Sequence, residues 1–237
     1  MFRNLNAVSP KKDWFAHELD DLSHAKVSSS EYKYNKGTEI FGEAEPAKYI
    51  YQVVEGSVRT YKLLSDGRRQ IGAFHLPGDI FGFDNYDVHR FTAEAIVDST
   101  LRLVKRESME RVAISDPAMV LNLVAMTTQN LRHVENHLLL LGRKTAKEKV
   151  AAFLVEMHGR LTGAGAIALP MTRRDISDYL GLTLETVSRS LSELQRCGYV
   201  TVTGNMKREI VVLNVAGLVL LAEREAANEA RSGMDPG

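Results

Sequence analysis

The segment Arg173-Arg-Asp-Ile-Ser-Asp-Tyr-Leu-Gly-Leu-Thr-Leu-Glu-Thr-Val-Ser-Arg189 has the pattern of two short helices joined by a tight turn. Such a unit needs a small residue where its helices touch, a glycine in the turn and apolar side chains locking the helices together. Ser177, Gly181 and the set Ile176, Leu180, Leu182, Val187 and Leu191 fill those roles in order. Thr172 followed by Asp175 predicts the first helix start, since hydroxyl and carboxylate can both accept from free backbone N–H groups. Thr183 predicts the cap of a second helix that runs through Arg196 and ends at Gly198. On that helix Val187, Leu191 and Leu194 share one face, while Glu185, Ser188 and Arg189 share another.

The second face begins in the first turn, where a recognition helix meets base edges in the major groove. Arg189 can donate two hydrogen bonds to guanine O6 and N7, Glu185 can accept from cytosine N4, and Ser188 can make short polar or thymine-methyl contacts. The plainer alternative is a solvated Glu185–Arg189 ion pair, contributing only about 0.3–0.5 kcal/mol. Around this face Arg143, Lys144, Lys147, Lys149, Arg173, Arg174, Lys207 and Arg208, with the hydroxyls of Thr172 and Thr183, are the candidate phosphate contacts. Contacts of that kind add affinity without sequence information.

Downstream, Tyr199–Thr203, a turn at Gly204–Asn205, and Ile210–Leu213 read as a β-hairpin, or wing. Upstream, an amphipathic helix is expected from Ala146 to Leu161, carrying Val150, Phe153, Leu154 and Met157. Before it, Val120, Val124, Thr127, Leu131, Val134, Leu138 and Leu141 are spaced by 4, 3, 4, 3, 4 and 3 residues. That is a heptad seam, which predicts one long helix from Asp116–Pro117 to a break at Gly142. A seam this narrow points to a second copy of the chain as partner, the other reading being a core helix.

From Glu31 to about Lys105 the period changes to alternation broken by Gly37, Gly56, Asp66–Gly67 and Pro77–Gly78. Short strands at such spacing predict a β-barrel or jelly roll. The expected order is an N-terminal extension over 1–30, a β-barrel over 31–110, a dimerisation helix over 111–142, a winged helix-turn-helix over 143–217 and a tail over 218–237. The fold class is α+β, a double-stranded β-helix joined to a winged helix-turn-helix.

Hydrophobic residues make up 44% and charged residues 25% of the 237, ordinary values for a soluble protein long enough for two cores. No apolar run nears the roughly 18 residues of a membrane span, and Met1 to Asp13 lacks an apolar signal core, so a cytoplasmic location is expected. Lys plus Arg and Asp plus Glu both total 30, yet residues 143–213 hold 11 basic against 7 acidic groups. The basic excess thus falls on the segment expected to meet nucleic acid.

With Gly78-Asp-Ile-Phe-Gly82, Gly142-Arg-Lys-Thr-Ala146 and Leu184-Glu-Thr-Val-Ser-Arg189, nearly the whole chain resembles the CRP/FNR regulators, and within them the FixK-type group. The resemblance implies a homodimer without enzymatic activity, with double-stranded DNA and RNA polymerase as partners, acting mainly as an activator of low-oxygen, nitrogen-fixation or denitrification genes. It places Leu184, Glu185, Ser188 and Arg189 at base-contacting positions and implies a palindrome of TTGAT-type half-sites. Leu184 stands where the cyclic-AMP receptor has an arginine, and His89-Arg90-Phe91-Thr92 where that receptor has its phosphate-binding Arg-Ser pair. No cofactor is expected, because the single cysteine, Cys197, cannot ligate a cluster held by several thiolates. The alternative is a CRP-type regulator sensing a small molecule, or a gas through haem.

The remaining signals are weaker. Cys197 follows Leu194 by three residues, which favours a packed thiol over a redox-active one. His133 and His137 lie one turn apart beside the seam without further ligands, so solvated histidines are expected and no metal. His75 is a lone barrel histidine, expected to be packed rather than a haem ligand. A metal-dependent cupin needs clustered His and Glu, and residues 31–105 hold only His75 and His89.

Overall fold

A computed structural model of the chain describes residues 29–83, 87–143, 145–161, 166–203 and 209–223. Among these residues eight strands come first: β1 Ser29–Tyr34, β2 Glu39–Phe41, β3 Tyr49–Glu55, β4 Val58–Leu63, β5 Arg69–His75, β6 Ile80–Phe81, β7 Thr92–Ala95 and β8 Ser99–Lys105. They form two four-stranded sheets, ordered β1-β8-β3-β6 and β2-β7-β4-β5. In the first sheet β8 pairs antiparallel with both β1 (Ser29 opposite Val104) and β3 (Tyr49 opposite Lys105). The expected turn at Asp66–Gly67 joins β4 to β5, Gly67 taking φ of +80° while Asp66 Oδ1 accepts from the Arg68 amide.

Among the described residues six helices follow the barrel strands: α1 Arg106–Ser115, α2 Pro117–Arg143, α3 Ala146–Leu161, α4 Arg173–Leu180, α5 Leu184–Arg196 and α6 Val215–Ala222. Between them β9 Ala166–Ala168, β10 Val200–Thr203 and β11 Glu209–Val212 make a sheet ordered β10-β11-β9. The long seam helix starts at Pro117 as expected but runs through Gly142. Neither α1 nor α6 was anticipated; residues 218–222, read as tail, are the end of α6, which puts Leu218 in the core.

The chain divides into two compact units. Unit 1 comprises 1–58 with 75–122, and its core is Phe41, Tyr51, Val53, Val58, Phe81, Ala93, Leu101 and Leu103. Unit 2 comprises 59–74 with 123–237, so most of the β4–β5 hairpin belongs with the C-terminal elements. Its core includes Phe153, Leu154, Met157, Ile176, Leu180, Val187, Leu191, Leu194, Val200, Ile210 and Leu218. Burying each of the larger side chains contributes about 1.5–3 kcal/mol.

Candidate nucleic-acid interface

Thr172 opens α4 with a reciprocal cap. Its hydroxyl oxygen accepts from the Asp175 amide, and Asp175 Oδ2 accepts from the Thr172 amide and hydroxyl at 2.9 and 2.7 Å. Gly181 closes the helix in the left-handed conformation (φ +62°), which a residue with a Cβ adopts only with strain. Thr183 caps α5 by accepting from the Thr186 amide at 3.2 Å. Of the apolar set expected from sequence Ile176, Leu180, Val187 and Leu191 are buried and Leu182 is half-buried, while Ser177 is buried with its hydroxyl turned onto the Arg174 carbonyl at 2.7 Å.

Val187, Leu191 and Leu194 face inward on α5, which leaves Leu184, Glu185 and Arg189 exposed and Ser188 half-buried. Among the described residues no ion pair joins Glu185 to Arg189. Arg173 reaches over the start of α5, its Nη1 3.5 Å from Ser188 Oγ, and Arg174 is exposed. The exposed carboxylate and guanidinium, one helical turn apart, are chemically suited to accept from and donate to base edges.

Four of the expected phosphate contacts have internal partners: Thr183, through its bonds to Thr186, and three others. The Lys147 ammonium lies 2.7 Å from Glu193 Oε1 on α5, and that hydrogen bond raises the lysine's pKa and lowers the glutamate's. Lys149 donates to the Leu141 carbonyl at 3.0 Å and toward that of Leu180 at 3.5 Å, covering acceptors at two helix ends. Thr172 spends its amide and hydroxyl on Asp175. Lys144, Lys207, Arg208 and the turn at Gly204–Asn205 lie outside the described residues, as does the side chain of Arg143.

Cys197 is exposed at the end of α5, its amide still donating to the Glu193 carbonyl at 2.9 Å before Gly198, with φ of +73°, leaves the helix. The packed thiol is therefore corrected. His137 is not solvated either: its ring stacks on Tyr179 at 4.1 Å. Along α2, Val120, Val124, Thr127, Leu131, Val134 and Leu138 are all exposed in the single chain, together with Leu121 and Leu139. Leu141 departs from this row; it is half-buried, with Cδ2 close to Gly181.

In unit 1 His89 is 1% exposed and stacks on Phe41 with ring centroids 3.6 Å apart. Phe41, Tyr51 and Phe81 continue that cluster at 5.1 to 6.1 Å. An imidazole packed under an aromatic ring stands at 89, and the arginine after it is exposed. The stacked imidazole at 89 lacks the forked donor set that a guanidinium offers a phosphate.

This exposed α5 face, presented by a capped helix-turn-helix with a flanking three-stranded sheet, defines the protein as a DNA-binding regulator. The chain matches the model of the Crp-like helix-turn-helix domain over residues 148–221 and that of the cyclic nucleotide-binding domain over 31–116. It belongs to the CRP/FNR family of transcription regulators, and its relatives there are not enzymes. It is 43% identical over 179 residues to the nitrogen fixation regulation protein FixK of Azorhizobium caulinodans, covering 73% of this chain and 72% of the relative. With the FixK of Rhizobium meliloti it shares 42% over 180 residues, covering 75% and 82%. The structure of FixK2 from Bradyrhizobium japonicum is similar with a TM-score of 0.78 and 59% identity, covering 81% of this chain and 96% of that one. Among the described residues no helix is long and apolar enough to cross a membrane.

Proposed function

We propose that the protein works as a homodimer that reads a palindrome of TTGAT-type half-sites and activates transcription with RNA polymerase, in FixK-like control of low-oxygen, nitrogen-fixation or denitrification genes. The observation that carries the reading is the Glu185–Ser188–Arg189 face, set at the first turn of α5 by the Thr183 cap and the Gly181 turn. Dimerisation is supported by the exposed apolar row on α2, since two copies joined along it present two recognition helices to two half-sites. Arg173, Arg174, Arg143 and Thr183 serve as phosphate contacts around the base-reading face, joined by Lys144 and Lys207. The protein acts without a bound cofactor, a reading supported by the buried His89 stacked on Phe41 in the segment that the resemblance sets against the receptor's phosphate-binding pair. Exposed Cys197, at the end of the recognition helix, is the thiol that oxidation would reach.

Fluorescence anisotropy with a labelled palindrome tests the reading. Purified protein in air and without nucleotide is expected to bind the TTGAT palindrome at least about 10³-fold more tightly than an unrelated duplex. Equal affinity for both duplexes, binding that needs a cyclic nucleotide, or a visible absorption band from haem would overturn it.

A further inference from the structure

Asp175 does more than cap α4. Its Oδ1, on the side away from Thr172, receives Arg59 Nη1 and Arg69 Nη2, each at 2.7 Å. Arg69 also donates through Nε to Asp178 Oδ2 at 2.9 Å, while Gln70 Nε2 lies 3.4 Å from the Tyr179 carbonyl. Arg59 and Arg69 stand on neighbouring strands β4 and β5, and both guanidiniums lie over the ring of Tyr61, at 6.0 and 5.5 Å from its centroid. All of these groups belong to unit 2.

The arrangement exceeds what a helix start requires. A capping box needs one carboxylate oxygen at the surface, whereas Asp175 is 2% exposed and a buried carboxylate is costly unless it is paired. Asp175 and Asp178 are three residues apart and therefore on one face of α4. A planar guanidinium that grips both fixes the rotation of that helix about its own axis, which a single contact cannot do. A rotation of α4 reaches α5 through the Gly181 turn and the buried side chains around Leu180 and Val187. We propose that Arg59 and Arg69 are positioning residues for DNA reading, acting through Asp175 and Asp178, so that the β4–β5 hairpin is a working part of the DNA-reading head.

The inference rests on DNA binding through α5, for which the parent protein is the control. Arg69→Met keeps an unbranched apolar stem and removes the guanidinium that makes the grip; Asp178→Asn removes one anchor at a partly exposed position. Affinity is measured for the TTGAT palindrome and for an unrelated duplex at several salt concentrations. Arg69→Met is expected to lose about tenfold in specific affinity, with non-specific affinity within about twofold and an unchanged salt slope, because no phosphate contact is lost. Asp178→Asn should lose specific affinity in the same way, the double variant should be no worse than Arg69→Met alone, and Arg69→Lys should recover part of the loss. Specific affinity equal to the parent in both single variants, additive losses in the double, or parallel losses on both duplexes with a shallower salt slope would overturn the proposal. If Arg69→Met does not fold, Asp178→Asn decides alone by the same two affinities. A parent that binds no DNA would overturn the functional reading itself.

Discussion

The imidazole of His137 lies flat on the ring of Tyr179, the centroids 4.1 Å apart and the planes inclined by 13°, with Nε2 2.9 Å from the Tyr179 carbonyl oxygen. The contact joins the seam helix α2 to the first helix of the DNA-binding motif within one unit. Burial holds the imidazole below its ordinary value, and His133 on the same helix adds to that, against the carbonyl of Tyr179, Glu156 on α3 and the backbone of Gly72.

A histidine whose pKa is lowered on folding binds fewer protons folded than unfolded. Its stabilising contribution is present above the ordinary value of 6.5 and is lost as pH falls below it toward the folded value. Urea unfolding of the parent and of His137→Asn between pH 8 and pH 5 should show the stability gap widest at pH 8 and narrowing on acidification. A gap that stays constant would mean that His137 does not titrate differently in the two states.

How much of this was legible in the sequence follows from the range of each signal. Thr172, Asp175, Gly181 and Thr183 act on backbone groups within a few residues, so both helices of the motif and their caps could be read directly. Arg59 meets Asp175 across 116 residues, and nothing local marks that pairing. The β4–β5 hairpin lies in the β2-β7-β4-β5 sheet, as its alternating pattern predicts, but no local signal shows that its arginines also pair with α4. Helix α1 follows β8 directly and buries only Met109 and Val112 of its apolar side chains while Ile114 is exposed, too short a stripe for a clear 3.6-residue signal. Cys197 was misread because helical spacing from Leu194 was carried one residue past the helix end.

The reciprocal cap on α4 gives a second expectation. Burial works to raise the Asp175 carboxyl, but the Thr172 hydroxyl and amide together with Arg59 and Arg69 outweigh it and hold the group below 3.8. The contribution of a carboxylate lowered on folding is present above that ordinary value and disappears as pH falls through the folded one. Thr172→Ala should lose about 0.5–2 kcal/mol at neutral pH. Its destabilisation should shrink when unfolding is repeated near pH 2; an undiminished loss there would assign the effect to packing alone.

Dimerisation along α2 gives a third. Leu131 and Leu138 are 57% and 69% exposed in the single chain, large apolar groups one heptad apart that a second copy would cover. Leu131→Asp or Leu138→Asp places an unpaired charge in that seam, which is strongly unfavourable once buried. Sedimentation at micromolar concentration should show the parent as a dimer and each variant as a monomer that no longer binds the palindrome. A variant that stays dimeric would move the interface elsewhere.

Base reading by α5 is the sharpest expectation, because Glu185 and Arg189 are exposed on one turn of a helix whose other face is fully buried. Arg189→Ala should cost about 1–3 kcal/mol and relax preference at the guanine of the TTGAT-type half-site, since a bidentate donor pair is lost there. Glu185→Ala should relax discrimination at the cytosine it accepts from, and by removing a negative charge it should leave non-specific affinity equal or higher. Arg174→Ala should behave differently, weakening all sequences alike and lowering the salt slope by about one. A half-site library bound at several salt concentrations separates the three patterns. Should Arg189→Ala weaken every sequence equally with a shallower slope, Arg189 is a phosphate clamp and the register assigned to the recognition helix α5 is wrong.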